Sequence, residues 1–131
     1  MLLIDVDAFK ILNDRLGHGV GDEALILLAE KLQSVVRADD TVSRIGGDEF
    51  LIVCPEIISA EDAVTIATRI TTLQVGTHQS GRGFRFTASV GIALAAPAET
   101  REMLIRRADA AMYQAKTTGS GYALAPEAIP R

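Results

Sequence analysis

The stretch SRIGGDEFLIVCP, Ser43 to Pro55, constrains the fold more than any other part of the chain. Two runs that read as strands, Thr41–Ile45 and Phe50–Cys54, are rich in β-branched and aromatic residues, and only Gly-Gly-Asp-Glu stands between them. That spacing predicts a hairpin. Glycine supplies the positive φ angles that tight loops need, and the two carboxylates keep the tip in water. A chain with such a hairpin builds an antiparallel sheet, and the remaining segments decide what covers it.

Leu2–Val6 reads as a buried strand ending in Asp5-Val6-Asp7, where strand alternation sends both carboxylates to one face. Ala8–Leu16 reads as a short helix closed by Gly17. Asp22 stands where an N-cap is wanted for a helix that runs to about Arg37, with Leu25, Leu28 and Leu32 as its apolar stripe. Residues 59–75 read as a helix capped by Ser59, followed by a polar loop, and Phe84–Leu94 reads as a strand. Thr100 starts a last helix to about Thr117, Gly119 occupies its C-cap, and GYALAP adds a short edge strand. The expected order is β-α-α-β-β-α-β-α-β. This is an α/β (α+β) class with a central, mostly antiparallel sheet, helices on its faces, and a split β-α-β-β ferredoxin-like core.

The length of 131 residues suits a single domain, with 124–131 as a tail. A net charge of -4 leaves no broad basic surface to neutralise a nucleic-acid backbone, so nucleic acid is not an expected partner. The apolar run after Met1 is too short for a signal peptide or a span, which predicts no membrane insertion by this segment and a cytoplasmic location, including as the cytoplasmic part of a larger sensor. Cys54, alone in FLIVC, reads as a buried hydrophobe. His18 and His78 belong to no zinc or acid–base pattern.

Placing the first strand beside the hairpin brings Asp5 and Asp48 toward one point. Converging carboxylates repel unless a cation lies between them, and hard divalent ions favour such oxygens together with substrate phosphates. Lys10 and Lys116 add charges for phosphate oxygens. Asn13 and Asp22 lie nearby; an aspartate accepts two parallel hydrogen bonds from the N1 and N2 donors of guanine, which adenine does not present. These features point to phosphoryl transfer on a guanine nucleotide.

The residues that carry this chemistry resemble the GGDEF domains, the diguanylate cyclases. The match runs through LLIDVDAFKILND, GHGVGDEAL, RIGGDEF, FTASVGIA and RADAAMYQAK, in the family's order and spacing from Leu2 to about Lys116. The resemblance implies a nucleotide-cyclase-like fold and condensation of two GTP, one on each of two facing domains of a homodimer, into cyclic di-GMP and two pyrophosphates. It implies Mg²⁺ (or Mn²⁺) bound by Asp5, the Val6 carbonyl, Asp48 and Glu49, with Asp48 and Glu49 as the catalytic carboxylates and Glu49 serving the metal or the attacking 3′-hydroxyl. Asn13 and Asp22 would read guanine, Lys10 and Lys116 would hold phosphates, and Gly46 and Gly47 would let the backbone turn beside the nucleotide. RADD, Arg37–Asp40, separated from the Gly-Gly run by five residues, resembles the family's inhibitory product site, in which Arg37 and Asp40 grip cyclic di-GMP; its bland reading is a solvated helix end and turn.

Two departures bear on function. Gly119-Ser120-Gly121 stands where the family usually carries an arginine for phosphate, and the family's usual N-terminal helix and motif are not found before the first strand. Two further readings therefore stand beside the enzyme: a catalytically silent domain that binds GTP or cyclic di-GMP as a signalling module, and a cyclase that makes a mononucleotide ring, against which the complete Gly-Gly-Asp-Glu-Phe run argues.

Overall fold

A computed structural model describes residues 1–7, 18–57, 59–76 and 83–127. The elements are β1 (Leu2–Val6), α1 (His18–Val35), β2 (Thr41–Arg44), β3 (Glu49–Val53), α2 (Ala60–Ile70), β4 (Thr72–Gly76), β5 (Gly83–Ile92), α3 (Arg101–Thr118) and β6 (Tyr122–Leu124). They form a mixed α/β fold whose sheet runs β2-β3-β1-β5-β4, with β6 also paired to β5. Every pairing is antiparallel except β5 with β6. The expected helix at Ala8–Leu16 lies outside the described residues.

Alternation along β1 divides the molecule into two layers. Leu2, Ile4 and Val6 face α1 and α2, where they pack with Leu28, Leu32, Phe50, Ile66 and Ile70 in the larger core. Leu3 faces α3 and packs in a smaller core with Ala108, Ala111 and Met112. Asp5, next on that side, therefore points toward the end of α3.

The layer under α3 is thin by design of its residues. Gly91 lies opposite Leu3 in the ladder, on the α3 side of β5. A Cβ there would meet the Ala108 carbonyl oxygen at 2.0 Å and the Met112 nitrogen at 2.4 Å. Helix α3, small along its inner face, thus rests directly on the strand backbone. Thr100 caps it by accepting from the Met103 N–H, and Gly119 ends it in the left-handed region at φ 70°. Arg107 fixes its middle, donating to Glu99, to the Leu94 carbonyl and to the Pro126 carbonyl.

Three expectations are corrected. The helix expected over 59–75 stops at Ile70, and Thr72–Gly76 forms β4, which pairs with the first half of β5. Residues with β-branched side chains follow the helix there, and an unpaired half of a ten-residue strand is available to bond with. Asp22 is not an N-cap, because α1 already begins at His18 and Asp22 lies inside it, exposed. Gly46 and Gly47 do not adopt positive φ; among the described residues only Gly119, Gly121 and Ala98 do. The hairpin loop spans Ile45–Asp48, longer than a two-residue turn, and is closed by the Ile45 N–H donating to the Glu49 carbonyl at 3.0 Å.

Candidate functional site: a carboxylate cluster under the end of α3

In the ladder Asp5 lies opposite Glu49 of β3 on one side and Ser89 of β5 on the other. Directly opposed residues of antiparallel strands share a face, so these three side chains gather on the α3 side of the sheet. Asp48 follows at the mouth of the same ladder, its carbonyl accepting from the Val6 N–H at 2.9 Å. The Val6 side chain lies in the opposite core. Helix α3 brings Lys116 over this group, and Lys116 Nζ donates to Asp5 Oδ2 at 2.6 Å.

Asp5 is 8% exposed, and among the described residues its second oxygen, Oδ1, is buried without a hydrogen-bond partner. The hydrogen bond to Asp5 holds the Lys116 ammonium above its ordinary pKa, with burial opposing and the charges of Asp5, Asp7 and Asp48 adding to the rise. The Glu49 carboxyl is also pushed above its usual range, first by burial and then by the negative charges of Asp5, Asp48 and Asp109, with Lys116 partly offsetting them. Five carboxylates, those of Asp5, Asp7, Asp48, Glu49 and Asp109, thus share one electrostatic neighbourhood with Lys116. Among the described residues no three acidic, imidazole or thiol groups stand as a ready ligand set. The orphaned Asp5 oxygen and the all-oxygen chemistry of its neighbours nevertheless match what a hard divalent cation takes.

Beside the cluster opens a cleft of about 490 Å³. Asp7, Thr87, Ser89, Lys116 and Ser120 are among the residues that line it. Asp7 accepts from Thr87 Oγ1 at 2.9 Å and from Ser89 Oγ at 3.5 Å, while its N–H donates to the Thr87 carbonyl, so the end of β1 is pinned to β5. Ser120 uses its hydroxyl internally, donating to the Tyr122 carbonyl at 2.9 Å and accepting from Thr118.

The hairpin loop is held from outside the cluster. Arg44 donates to the carbonyls of Gly46 at 3.0 Å and Gly47 at 3.1 Å. Among the described residues, a Cβ on Gly47 would meet nothing within 4 Å.

Of the residues singled out in the sequence, Asp5, Asp48, Glu49 and Lys116 come together. Lys10 and Asn13 lie outside the described residues, and Asp22 is an exposed side chain of α1. Arg37 and Asp40 form a separate turn, in which the Arg37 N–H donates to Asp40 Oδ2 at 2.8 Å and the Asp40 N–H to the Arg37 carbonyl at 3.0 Å. Asp40 acts on Cys54, which follows the last residue of β3, whereas Glu49 is the first. At about 3.4 Å per residue, the five steps from Glu49 to Cys54 separate the two sites by ~17 Å. Thr87, Ser89 and Gly91 in FTASVGIA and Asp109 in RADAAMYQAK were given no individual role by the sequence reading. Only Gly91 carried a usable signal, as an interior glycine in a run otherwise suited to a strand.

Comparison with known proteins places this geometry. The family model for "Diguanylate cyclase, GGDEF domain" matches residues 1–121. The chain is 43% identical over 125 residues to the bifunctional diguanylate cyclase/cyclic di-GMP phosphodiesterase MucR of Pseudomonas aeruginosa; the match covers 93% of this chain and 18% of that protein. It therefore spans under a fifth of that relative's length. The crystal structure of the GGDEF domain of TpbB (YfiN) from the same organism superposes with a TM-score of 0.83 at 37% identity, covering 97% of this chain and 81% of that one. The GGDEF domain of DgcB from Caulobacter crescentus, solved in complex with c-di-GMP, gives a TM-score of 0.76 at 26% identity, covering 95% of this chain and 74% of that one. With the family model matched across most of its length, the chain belongs to the diguanylate cyclase GGDEF-domain family.

Proposed function

We propose that residues 1–131 form one GGDEF domain that condenses two GTP into cyclic di-GMP and two pyrophosphates, each of two facing copies holding one GTP. The observation that carries this reading is the buried Asp5 with its unpartnered Oδ1, set across from Glu49 and beside Asp48. Asp5, the Val6 carbonyl, Asp48 and Glu49 are the residues to hold Mg²⁺ or Mn²⁺. Such an ion, when bound, neutralises triphosphate charge and eases ionisation of a hydroxyl. Lys116 holds phosphate oxygens, and Lys10 is assigned the same role. Asn13 and Asp22 read the guanine edge.

Glu49 has the right direction of shift for a base. Its carboxyl binds a proton more readily than a free glutamate's, because burial and three negative neighbours favour the neutral form. Glu49 serves the metal or accepts the proton that leaves the attacking 3′-hydroxyl, whose oxygen bonds to the α-phosphorus of the second GTP as the bond to the β-phosphate breaks and pyrophosphate departs. Each copy holds only half of the reacting pair, so proximity of the two sites supplies much of the rate. In a larger protein this domain would act on the cytoplasmic side. Among the described residues no helix is long and apolar enough to cross a membrane.

A second reading is a silent domain that binds GTP or cyclic di-GMP and signals by association. Ser120 favours it, because a hydroxyl engaged with Tyr122 and Thr118 takes the place at which the family usually carries an arginine for phosphate. Incubation of concentrated protein with GTP and Mg²⁺, followed by mass analysis, separates the two. Cyclic di-GMP is expected from the parent and none from Asp48→Asn, since a neutral amide is a poor Mg²⁺ ligand. Turnover by Asp48→Asn at the parent's rate would refute the site, and nucleotide bound without product would establish the silent domain.

A further inference from the structure

Asp5 and Lys116 are unequal partners. The Asp5 side chain is 11% exposed, and its two oxygens differ: Oδ2 is held at 2.6 Å by Lys116 Nζ, and Oδ1 is buried with nothing bonded to it among the described residues. An ionised carboxylate has about four acceptor sites, so Asp5 is well short of satisfied. The Lys116 side chain is 50% exposed and lies on the last turn of α3, on a flexible stem that reaches in from the cleft. Among the described residues no three acidic, imidazole or thiol groups form a ready ligand set. The group that supplies positive charge to Asp5 is instead the ammonium of a half-exposed side chain.

We propose that Lys116 is a stand-in cation, which neutralises Asp5 until a divalent ion takes that carboxylate and thereby frees the lysine for the phosphates of the incoming nucleotide. This rests on the cyclase reading for the identity of the ion and of the phosphate ligand. Its content is a coupling through one side chain. A free ion binds against competition from Lys116, and a triphosphate arriving without an ion finds Lys116 engaged. Each ligand therefore strengthens the other, by the same factor in both directions.

The test is Mn²⁺ titration of the nucleotide-free protein, read by the loss of the free-ion electron paramagnetic resonance signal, in the parent, Lys116→Met, Lys116→Gln and Asp5→Asn. Both Lys116 variants are expected to bind Mn²⁺ about tenfold more tightly than the parent, a difference of about 1.4 kcal/mol. Asp5→Asn is expected to bind at least tenfold more weakly. Denaturation with and without Mn²⁺ gives an independent readout: the ion should raise the unfolding midpoint of Lys116→Met more than that of the parent. Equal or weaker Mn²⁺ binding by both Lys116 variants, with Asp5→Asn still impaired, overturns the stand-in role and leaves the metal site standing. Absence of Mn²⁺ binding in the parent and both Lys116 variants removes the metal site, and the proposal with it.

Discussion

Replacing Gly91 by alanine tests whether the close seating of α3 on β5 organises this molecule. The added Cβ would lie 2.0 Å from the Ala108 carbonyl oxygen and 2.4 Å from the Met112 nitrogen, both backbone atoms, where real contacts essentially never come under 3.0 Å. Helix α3 must therefore retreat by about 1 Å or more, because neither obstacle can rotate aside as a side chain would. Overpacking of this kind costs about 1–3 kcal/mol, and sometimes more. With a urea dependence of about 2 kcal/mol per molar, a loss near 2 kcal/mol lowers the unfolding midpoint by about 1 M. Urea titration followed by circular dichroism reads this directly. Gly47→Ala is the matched control, since its Cβ would meet nothing within 4 Å, and it should leave the midpoint unchanged. A Gly91→Ala midpoint equal to that of Gly47→Ala would refute the argument from close approach. Since α3 also carries Lys116, Gly91→Ala should disturb the pair with Asp5 as well.

Other measurements probe separate parts of the molecule. Burial, chiefly, pushes the Cys54 thiol up to about 11, so the folded protein should resist alkylation by iodoacetamide at pH 8 and react on unfolding; rapid labelling of the native state would show that Cys54 is accessible. The Glu99 carboxyl is held below its ordinary range by the Ala96 N–H first and by Arg107 as well. A lowered folded-state value means that this stabilisation is present above pH ~4.5 and is lost as pH falls through the folded value. Glu99→Gln should accordingly flatten the loss of stability on acidification, and an unchanged acid profile would exclude Glu99 as a contributor. Arg37→Ala should weaken cyclic di-GMP binding in isothermal titration without lowering thermal stability, because the turn's hydrogen bonds use the Arg37 backbone; an unaltered affinity would reduce RADD to a turn.

What the sequence revealed and what it hid follow from how local each feature is. The hairpin, the last helix with its Thr100 and Gly119 caps, and the buried first strand were all legible because their signals lie within a few residues. So was the convergence of Asp5 and Asp48, since the order of elements puts β1 beside β3; Glu49 joined them only through the family resemblance. Thr72–Val75 was misread as helix because its conformation is decided by a distant partner, the first half of β5. The Gly46-Gly47 pair was given an angular role that fits two-residue turns, whereas the longer loop is shaped by Arg44 bonding its carbonyls. The clamp of Thr87 and Ser89 on Asp7 joins residues about 80 positions apart and left no local trace.

The central position of β1 has a consequence for the motions of the site. Asp5 stands on a strand laddered on both sides, so its backbone can be released only by opening two sets of hydrogen bonds together. Amides so placed exchange with solvent among the slowest in a protein, near the limit set by global unfolding, whereas helix ends fray at little cost. Lys116, in the last turn of α3, stands on the other side of that divide. In hydrogen-exchange terms the site is expected to join a slow half to a faster half: the aspartate stands on a doubly paired strand, and the lysine on the last turn of a helix.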